Sequence, residues 1–564
     1  MEEIIEGVLV NTETRRDEVL RVFTPDFCRH LKRLHHKLNL RRIHLLATRK
    51  VRQRHFDQGK LPEYIGDDSI ASRSDWSVRE VPLDLRERRV EITGPVNDTK
   101  MVINMLSANE RGVRADMAML DFEDSMKPSW NNVISGYTNV IDACNLTINC
   151  QKVDDTGRVL KDYRLDPKDM AGIMVRVRGL HMNETNVVIE GRPASAGLLD
   201  LATCYFHTSQ TLIERGKTPK YYVPKCEHFL EAEWWNDLFT KLENYHQHSI
   251  GTLRATFLIE TLPAAFQMEE ILFELRDHAA GLNVGRWDKI FSDIKVLKNH
   301  PRRISADRAT INMDKFWMDN YAKRLVKICH ARGAFAIGGM SSFTPGKDAD
   351  VRQLQTKKVT EDKTREATLG HDGCWVSHPY FIDIARECFT KKNQLDVKLE
   401  DFTKYPKLIM DGTGPRTLQG LRTNIRVGIA YLRGWNNDIG CVSWDGLMED
   451  LATLEISRAQ TWQWLHHKIA LDSGERVTKN LVECIFDEEL ERICNEVIST
   501  MSGKSDEQVL AVQREFVKAS EDAKALFTSD TLCDFLTVSG DNDQEEKEED
   551  DGFTENMTRS ANAI

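Results

Sequence analysis

Short apolar runs that stop at a charged or turn residue alternate with amphipathic segments through the middle of this chain. The run Ala255 to Ile259 is apolar and β-rich, which suits a strand buried on both faces, and it stops at Glu260. Thr261 and Pro263 then suit the first turn of a helix, and Met268, Ile271, Leu272 and Leu275 repeat at the spacing of one buried helical face. The same alternation recurs at Val90 to Val96, Met117 to Asp124, Ile173 to Gly179, Tyr221 to Cys226, Ala255 to Glu260, Gly281 to Asp288, Ala334 to Gly339 and Gly373 to Pro379. Helical patterns such as Lys100 to Asn109, Leu198 to Glu214, Glu231 to Tyr245, Met313 to Arg332 and Tyr380 to Thr390 lie between them. Eight such alternations predict a (β/α)8 TIM barrel with its chemistry on the carboxyl-end loops. The alternative, a doubly wound open sheet, loses support because no GxGxxG follows the first strand.

Outside the barrel the pattern changes. Residues 1–89 read as a mostly helical appendage, basic in places from Phe27 to Gln58, and residues 90–391 as the barrel. Over residues 392–537 the strand signals stop, and Leu418 to Trp435, Gly446 to Lys468, Val477 to Met501 and Asp506 to Phe527 predict successive helices able to cover or brace the barrel. Residues 538–564 form an acidic tail, expected to be disordered.

The net charge of −11 changes this picture little, because Asp541 to Gly552 alone carries −7 and leaves −4 for the rest. So nearly neutral a body gives no reason to expect nucleic-acid binding. Hydrophobic residues make up 41% of the chain, as in a soluble globule, and no window has the 18 or more apolar residues of a membrane span. Acids in MEEIIEGVLV, where a secretory signal needs bases, argue against export. The 12 cysteines show no CxxC and no Cys/His pairing, which points to reduced thiols inside a cell.

Polar groups gather at the predicted strand ends: Asp121, Glu123 and Asp124 after the second strand, Arg176 and Arg178 on the third, Glu260 on the fifth and Asp288 on the sixth. In a parallel barrel Glu260 and Asp288 sit at the same rim, within reach of one hard cation, or else they cap the helices that follow. Unpaired buried charges cost several kcal/mol each, so acids converging with arginines imply a metal and an anionic substrate.

The strings VEITGPV with KMVIN, LDFEDS, RVRGLH, IETLPAAFQMEEILFELRDH through GLNVGRWDKIFS, AFAIGGM, GHDG with WVSHP, and GLMEDLAT with EISRAQTWQW together resemble the A-type malate synthases of the glyoxylate cycle, in the family's order, over roughly Phe27 to Thr537. The resemblance implies a barrel enzyme that uses Mg²⁺ to join acetyl-CoA to glyoxylate, then hydrolyses malyl-CoA to malate and CoA. It implies Glu260 and Asp288 as magnesium ligands, Asp450 of GLMED as the base that deprotonates acetyl-CoA, and Arg176 as the cation that stabilises the enolate. Asp121 and Glu123 match acids that orient this arginine and complete the metal's surroundings. Gly285, Arg286 and Trp287 match the segment whose backbone receives the glyoxylate carboxylate, and Trp375 and Pro379, with Gly338 and Gly339, lie where the thioester arm of CoA would pass.

Arg178 either pairs with Asp124 or faces substrate, the pairing being the expected reading; His371 and His378 are expected to be hydrogen-bonded structural groups rather than ligands, and Cys441 a buried, inert cysteine rather than an oxidisable thiol. The chain departs from the family at Leu120, at Val284 and in ending Asn562, Ala563, Ile564 rather than in an SKL-like peroxisomal tripeptide. Lys37, Leu38, His44 and Leu45 resemble an amino-terminal peroxisomal signal but fit an ordinary helix too, which leaves peroxisome and cytoplasm both open. The other classes considered are a malyl-CoA or citramalyl-CoA lyase, whose smaller barrel lacks the GLMED helical part, and an inactive binding scaffold.

Overall fold

The computed structural model describes residues 1–154 and 156–538, so the acidic segment from Asp541 lies outside the described residues. Eight parallel strands close a barrel: β1 (Val90–Pro95), β2 (Met117–Asp121), β3 (Gly172–Arg176), β4 (Lys220–Val223), β5 (Arg254–Ile259), β6 (Ala279–Val284), β7 (Phe335–Ser341) and β8 (Gly373–Val376). Each pairs with its neighbours in chain order, and β8 returns to β1 with Trp375 opposite Glu91. Nearly every strand position is buried, which is why these segments read as continuous apolar runs. Met117, Met119, Met174, Tyr222, Leu258, Phe335, Ile337 and Trp375 fill the interior. Flexible methionines suit a space that must close around a polar layer.

The amino-terminal part differs from the helical expectation in its first residues. Glu2–Ile5 and Val8–Val10 form a hairpin that continues as an antiparallel sheet with Asn183–Ile189 and Arg192–Ser195, an excursion after β3. Gly7, at φ 75°, makes the turn, and Val8 and Val10 point inward. The helix Pro25–Asp57 follows, with Thr24 as its cap and Pro25 in its first turn. It lies against the helix Phe229–His246 on the barrel's outside. Leu38 and Leu45 belong to its buried face while Lys37 and His44 are exposed, so the nonapeptide is an integral piece of this helix.

A second core forms around Leu421, Ile425, Trp464, Phe486, Phe516 and Phe527 of the carboxyl-terminal helices. The expected helix from Gly446 begins later: Val442–Trp444 and Leu447–Glu449 make a hairpin, and the helix Leu451–His466 starts after it. Asp445 and Gly446 both take positive φ at the turn, the backbone that an Asp-Gly pair favours. The helix Leu451–His466 is buried all round. Its Leu454 and Trp464 join the second core, whereas Ile456, Ala459 and Trp462 pack with the barrel's outer layer, against the helix Trp287–Val296. No helix among the described residues is long and apolar enough to cross a membrane.

Arg178 corrects one expected pairing. Its guanidinium bonds Asp200 and Glu184 at 2.7–3.0 Å, not Asp124, and it ties β3 to the helix Ala196–Glu214 and to the antiparallel sheet. The difference follows from direction: Arg178 lies past the end of β3 and turns outward, while Arg176 turns into the barrel. Arg178→Met leaves two buried carboxylates without their cation. It is expected to cost about 3–5 kcal/mol in urea unfolding, with catalytic parameters of the folded enzyme unchanged.

Candidate active site

The carboxyl ends of the strands open into a cavity of about 900 Å³ beneath the carboxyl-terminal helices. Arg176, Glu260, Gly285, Arg286, Trp287, Asp288, Trp375, Pro379 and Asp450 all line it, so residues spread over most of the chain meet at one wall. Asp121 and Glu123 do not line it and lie behind Arg176.

Arg176 is held on two sides. Its Nε and Nη2 donate to the two oxygens of Asp121 at 2.7 and 2.6 Å, a bidentate pair, and Nη1 donates to Asp124 at 3.3 Å, with Glu123 3.4 Å away. Asp121 is in turn fixed by the amides of Glu123 and Ser125 and by the Ser125 hydroxyl. A planar guanidinium clamped along one edge keeps its other donors at a set angle toward the cavity.

Lys225 is the residue that sequence reading missed. Its ammonium sits 2.5 Å from Glu123, 2.9 Å from Asp124 and 3.1 Å from Asp288, and its amide donates to Glu260 Oε1 at 2.8 Å. The residue adopts φ 54°, a left-handed conformation that costs a non-glycine residue about 1–2 kcal/mol. A lysine inside the apolar run Tyr221 to Cys226 was the available signal, since a buried ammonium needs anions around it.

Charge sets the protonation of the group. Burial favours raising the pKa of Asp124, but Lys225 and Arg176 overcome it and bring the pKa down to about 2. Glu123 is pushed well above the usual carboxylate range by burial and by the charge of Asp124. Glu260 is raised by burial and by Asp288, with Lys225 opposing. Asp450 is raised well above its usual value by burial and then by Asp124 and Asp288, while Arg176 pulls the other way. A carboxylate made more basic in this way is a better proton acceptor.

Asp450 caps the helix Leu451–His466, accepting from Thr453 N at 3.3 Å, and the amide of Leu451 donates to the carbonyl of Asp124 at 3.2 Å. That last bond joins the carboxyl-terminal part directly to the acid loop after β2. Gly285 allows the close approach of β6 to β5, since a Cβ there would lie 2.5 Å from Glu260 Cβ. His378 and Cys441 line the cavity, whereas His371 does not. His378 accepts from Tyr380 N, burial brings the pKa of His371 down to about 4, and burial followed by the charge of Asp450 pushes the Cys441 thiol up to about 12.

Lys100, Arg111, Lys161, Lys347 and Arg352 line the same cavity, with Tyr163 under the ammonium groups of Lys100 and Lys161. Lys161 and Tyr163 come from a hairpin, Asn149–Val153 with Val159–Arg164, that the sequence reading did not foresee. A strand-end site with clustered carboxylates and a cationic rim defines a (β/α)8 enzyme of anionic substrates. Three family models match the chain: the malate synthase N-terminal domain over residues 9–68, its TIM barrel domain over 172–407 and its C-terminal part over 415–543. Malate synthase A of Escherichia coli (strain K12) is 44% identical, covering 88% of this chain and 90% of that protein. The malate synthase of Myxococcus xanthus (strain DK1622) is 42% identical over 94% and 95%, and the glyoxysomal malate synthase of Candida tropicalis 39% over 85% and 87%. The chain belongs to the malate synthase family, and with it has the activity of a transferase of that kind.

Proposed function

We propose that the cavity condenses acetyl-CoA with glyoxylate and hydrolyses the resulting malyl-CoA, with Mg²⁺ as cofactor. Glu260 Oε2 is buried and makes no hydrogen bond, which leaves it free for a cation, and Asp288 Oδ1, buried beside the Lys225 ammonium at 3.1 Å, lines the same cavity. Among the described residues no three His, Cys, Asp or Glu side chains form a cage, and two carboxylates with open positions suit Mg²⁺, which keeps several waters. Glu260 and Asp288 would hold the ion, and when bound it would polarise the glyoxylate carbonyl.

The remaining roles fall to the chain. Asp450 takes a proton from the methyl group of acetyl-CoA, and Arg176 directs its free donors at the thioester oxygen as charge develops there. Asp121 and Glu123 hold Arg176 in position. The N–H groups of Gly285, Arg286 and Trp287, at the start of the helix Trp287–Val296, are available to the glyoxylate carboxylate. Trp375 and Pro379 flank the path of the thioester arm, and the cationic rim suits the phosphates of CoA.

The observation that carries this reading is that Asp450 shares one cavity with Glu260 and Asp288. The same observation favours a synthase over a lyase of the malyl-CoA type, since the base comes from the helical part that such lyases lack. Thiol release from acetyl-CoA is expected only when glyoxylate and Mg²⁺ are both present, with malate as product. Accumulation of malyl-CoA would identify a lyase, and no release an inactive scaffold.

A further inference from the structure

Beneath the cavity the barrel interior holds a polar layer for which the reaction gives no direct use. Glu91 on β1 is fully buried and does not line the cavity. Its carboxylate receives Arg88 Nε at 2.6 Å, the Tyr222 hydroxyl at 2.5 Å and Trp375 Nε1 at 2.9 Å. Arg88 also donates to Tyr222 and to Thr256, so strands β1, β4, β5 and β8 are tied through one carboxylate. Three donors on one buried anion form a costly arrangement unless complete, and they leave the indole of Trp375 no freedom to turn about its Nε1. The ring edge packs on Tyr222 at 5.0 Å and 77°, and the guanidinium carbon of Arg176 stands 5.6 Å from the centre of the Trp375 ring.

We infer that Glu91 is a positioning residue for the reaction: through the pinned indole of Trp375 it helps fix the plane of the Arg176 guanidinium, which Asp121 holds along one edge and Asp124 and Glu123 hold only through longer Nη1 contacts of 3.3 and 3.4 Å. This rests on the reading of Arg176 as the group that stabilises the enolate. A bidentate carboxylate sets two donors of a guanidinium, and the long Nη1 contacts to Asp124 and Glu123 limit its tilt about that edge only loosely. The aromatic face on the barrel side removes the tilt by cation–π attraction and contact. Misplacement of a catalytic group by about 1 Å can cost a hundredfold in rate, so a residue that never touches substrate can still control turnover.

The test is a double-mutant cycle on the full chain. Glu91→Gln keeps the shape but weakens the bonds from Arg88 and Trp375, and it is expected to lower kcat about tenfold, with KM for glyoxylate and acetyl-CoA changed by less than about twofold. In an Arg176→Lys background, which removes the planar group, the same change should cost less than about twofold. A kcat for Glu91→Gln within twofold of the parent, or an equal loss in both backgrounds, would overturn the inference and leave a purely structural layer. If Glu91→Gln does not fold, Trp375→Phe, which retains a ring but loses Nε1, carries the same cycle. Arg176→Lys with parental kcat would instead refute the role of Arg176 itself, whatever Glu91 does.

Discussion

Asp450→Asn is expected to lower kcat by about a thousandfold, within the roughly 10²–10⁴ range of a lost general base. The effect should be confined to chemistry. Asparagine caps a helix as well as aspartate does, so the bond to Thr453 N and the start of the helix Leu451–His466 survive. Glu260 and Asp288 are untouched, and calorimetric titration should show glyoxylate and Mg²⁺ binding within a few-fold of the parent. The raised pKa of Asp450 is consistent with this role, because burial and the neighbouring acids increase its proton affinity without another hydrogen-bonded cation to quench it. Turnover close to that of the parent would end the assignment.

The second large effect is expected at Glu260. Glu260→Gln keeps a carbonyl oxygen for the amide of Lys225 but removes the charge that faces the cavity. Affinity for Mn²⁺, used as a paramagnetic stand-in for Mg²⁺, should fall by more than about a hundredfold, beyond what losing an outer-shell partner costs a metal site. Stability should not fall with it. The folded pKa of Glu260 lies above the ordinary carboxylate value, so folding disfavours its ionised form at neutral pH, and a neutral amide removes that penalty. A melting temperature equal to or above that of the parent, together with lost cation binding, marks a functional acid; a lower melting temperature with unchanged Mn²⁺ affinity would show a structural one.

Much of the barrel was legible because each strand is short, apolar and ended by a residue that cannot continue it. Burial on both faces makes such runs stand out from helices whose polar face interrupts the pattern. Legibility failed where pairing is remote or signals are local and brief. Val8 and Val10 alternate as a strand should, but besides the short Glu2–Ile5 their partner is Asn183–Ile189, far along the chain, and no nearby pattern announces it. The Asp445-Gly446 turn was a plain hairpin signal hidden by the helical periodicity that follows it. At the site, Glu260, Asp288 and Arg176 could be found from strand ends alone. Asp450 could not, since as a helix cap it resembles many others, and only the resemblance to a family singled it out. Lys225 was present in a predicted strand, yet its importance comes from two remote segments, Glu123 with Asp124 and Asp288, closing on its ammonium.

The helix Leu451–His466 serves both cores, and this has a consequence for how the enzyme is made. A ribosome that has released every barrel strand, through Val376, has not yet released Ile456, Ala459 and Trp462, which complete the barrel's outer layer. The nascent barrel therefore waits with an apolar flank uncovered until the middle of the helical part emerges. One short stretch thus seals the wall and delivers the base, and a chain terminated before it offers neither a finished barrel nor a half-active site.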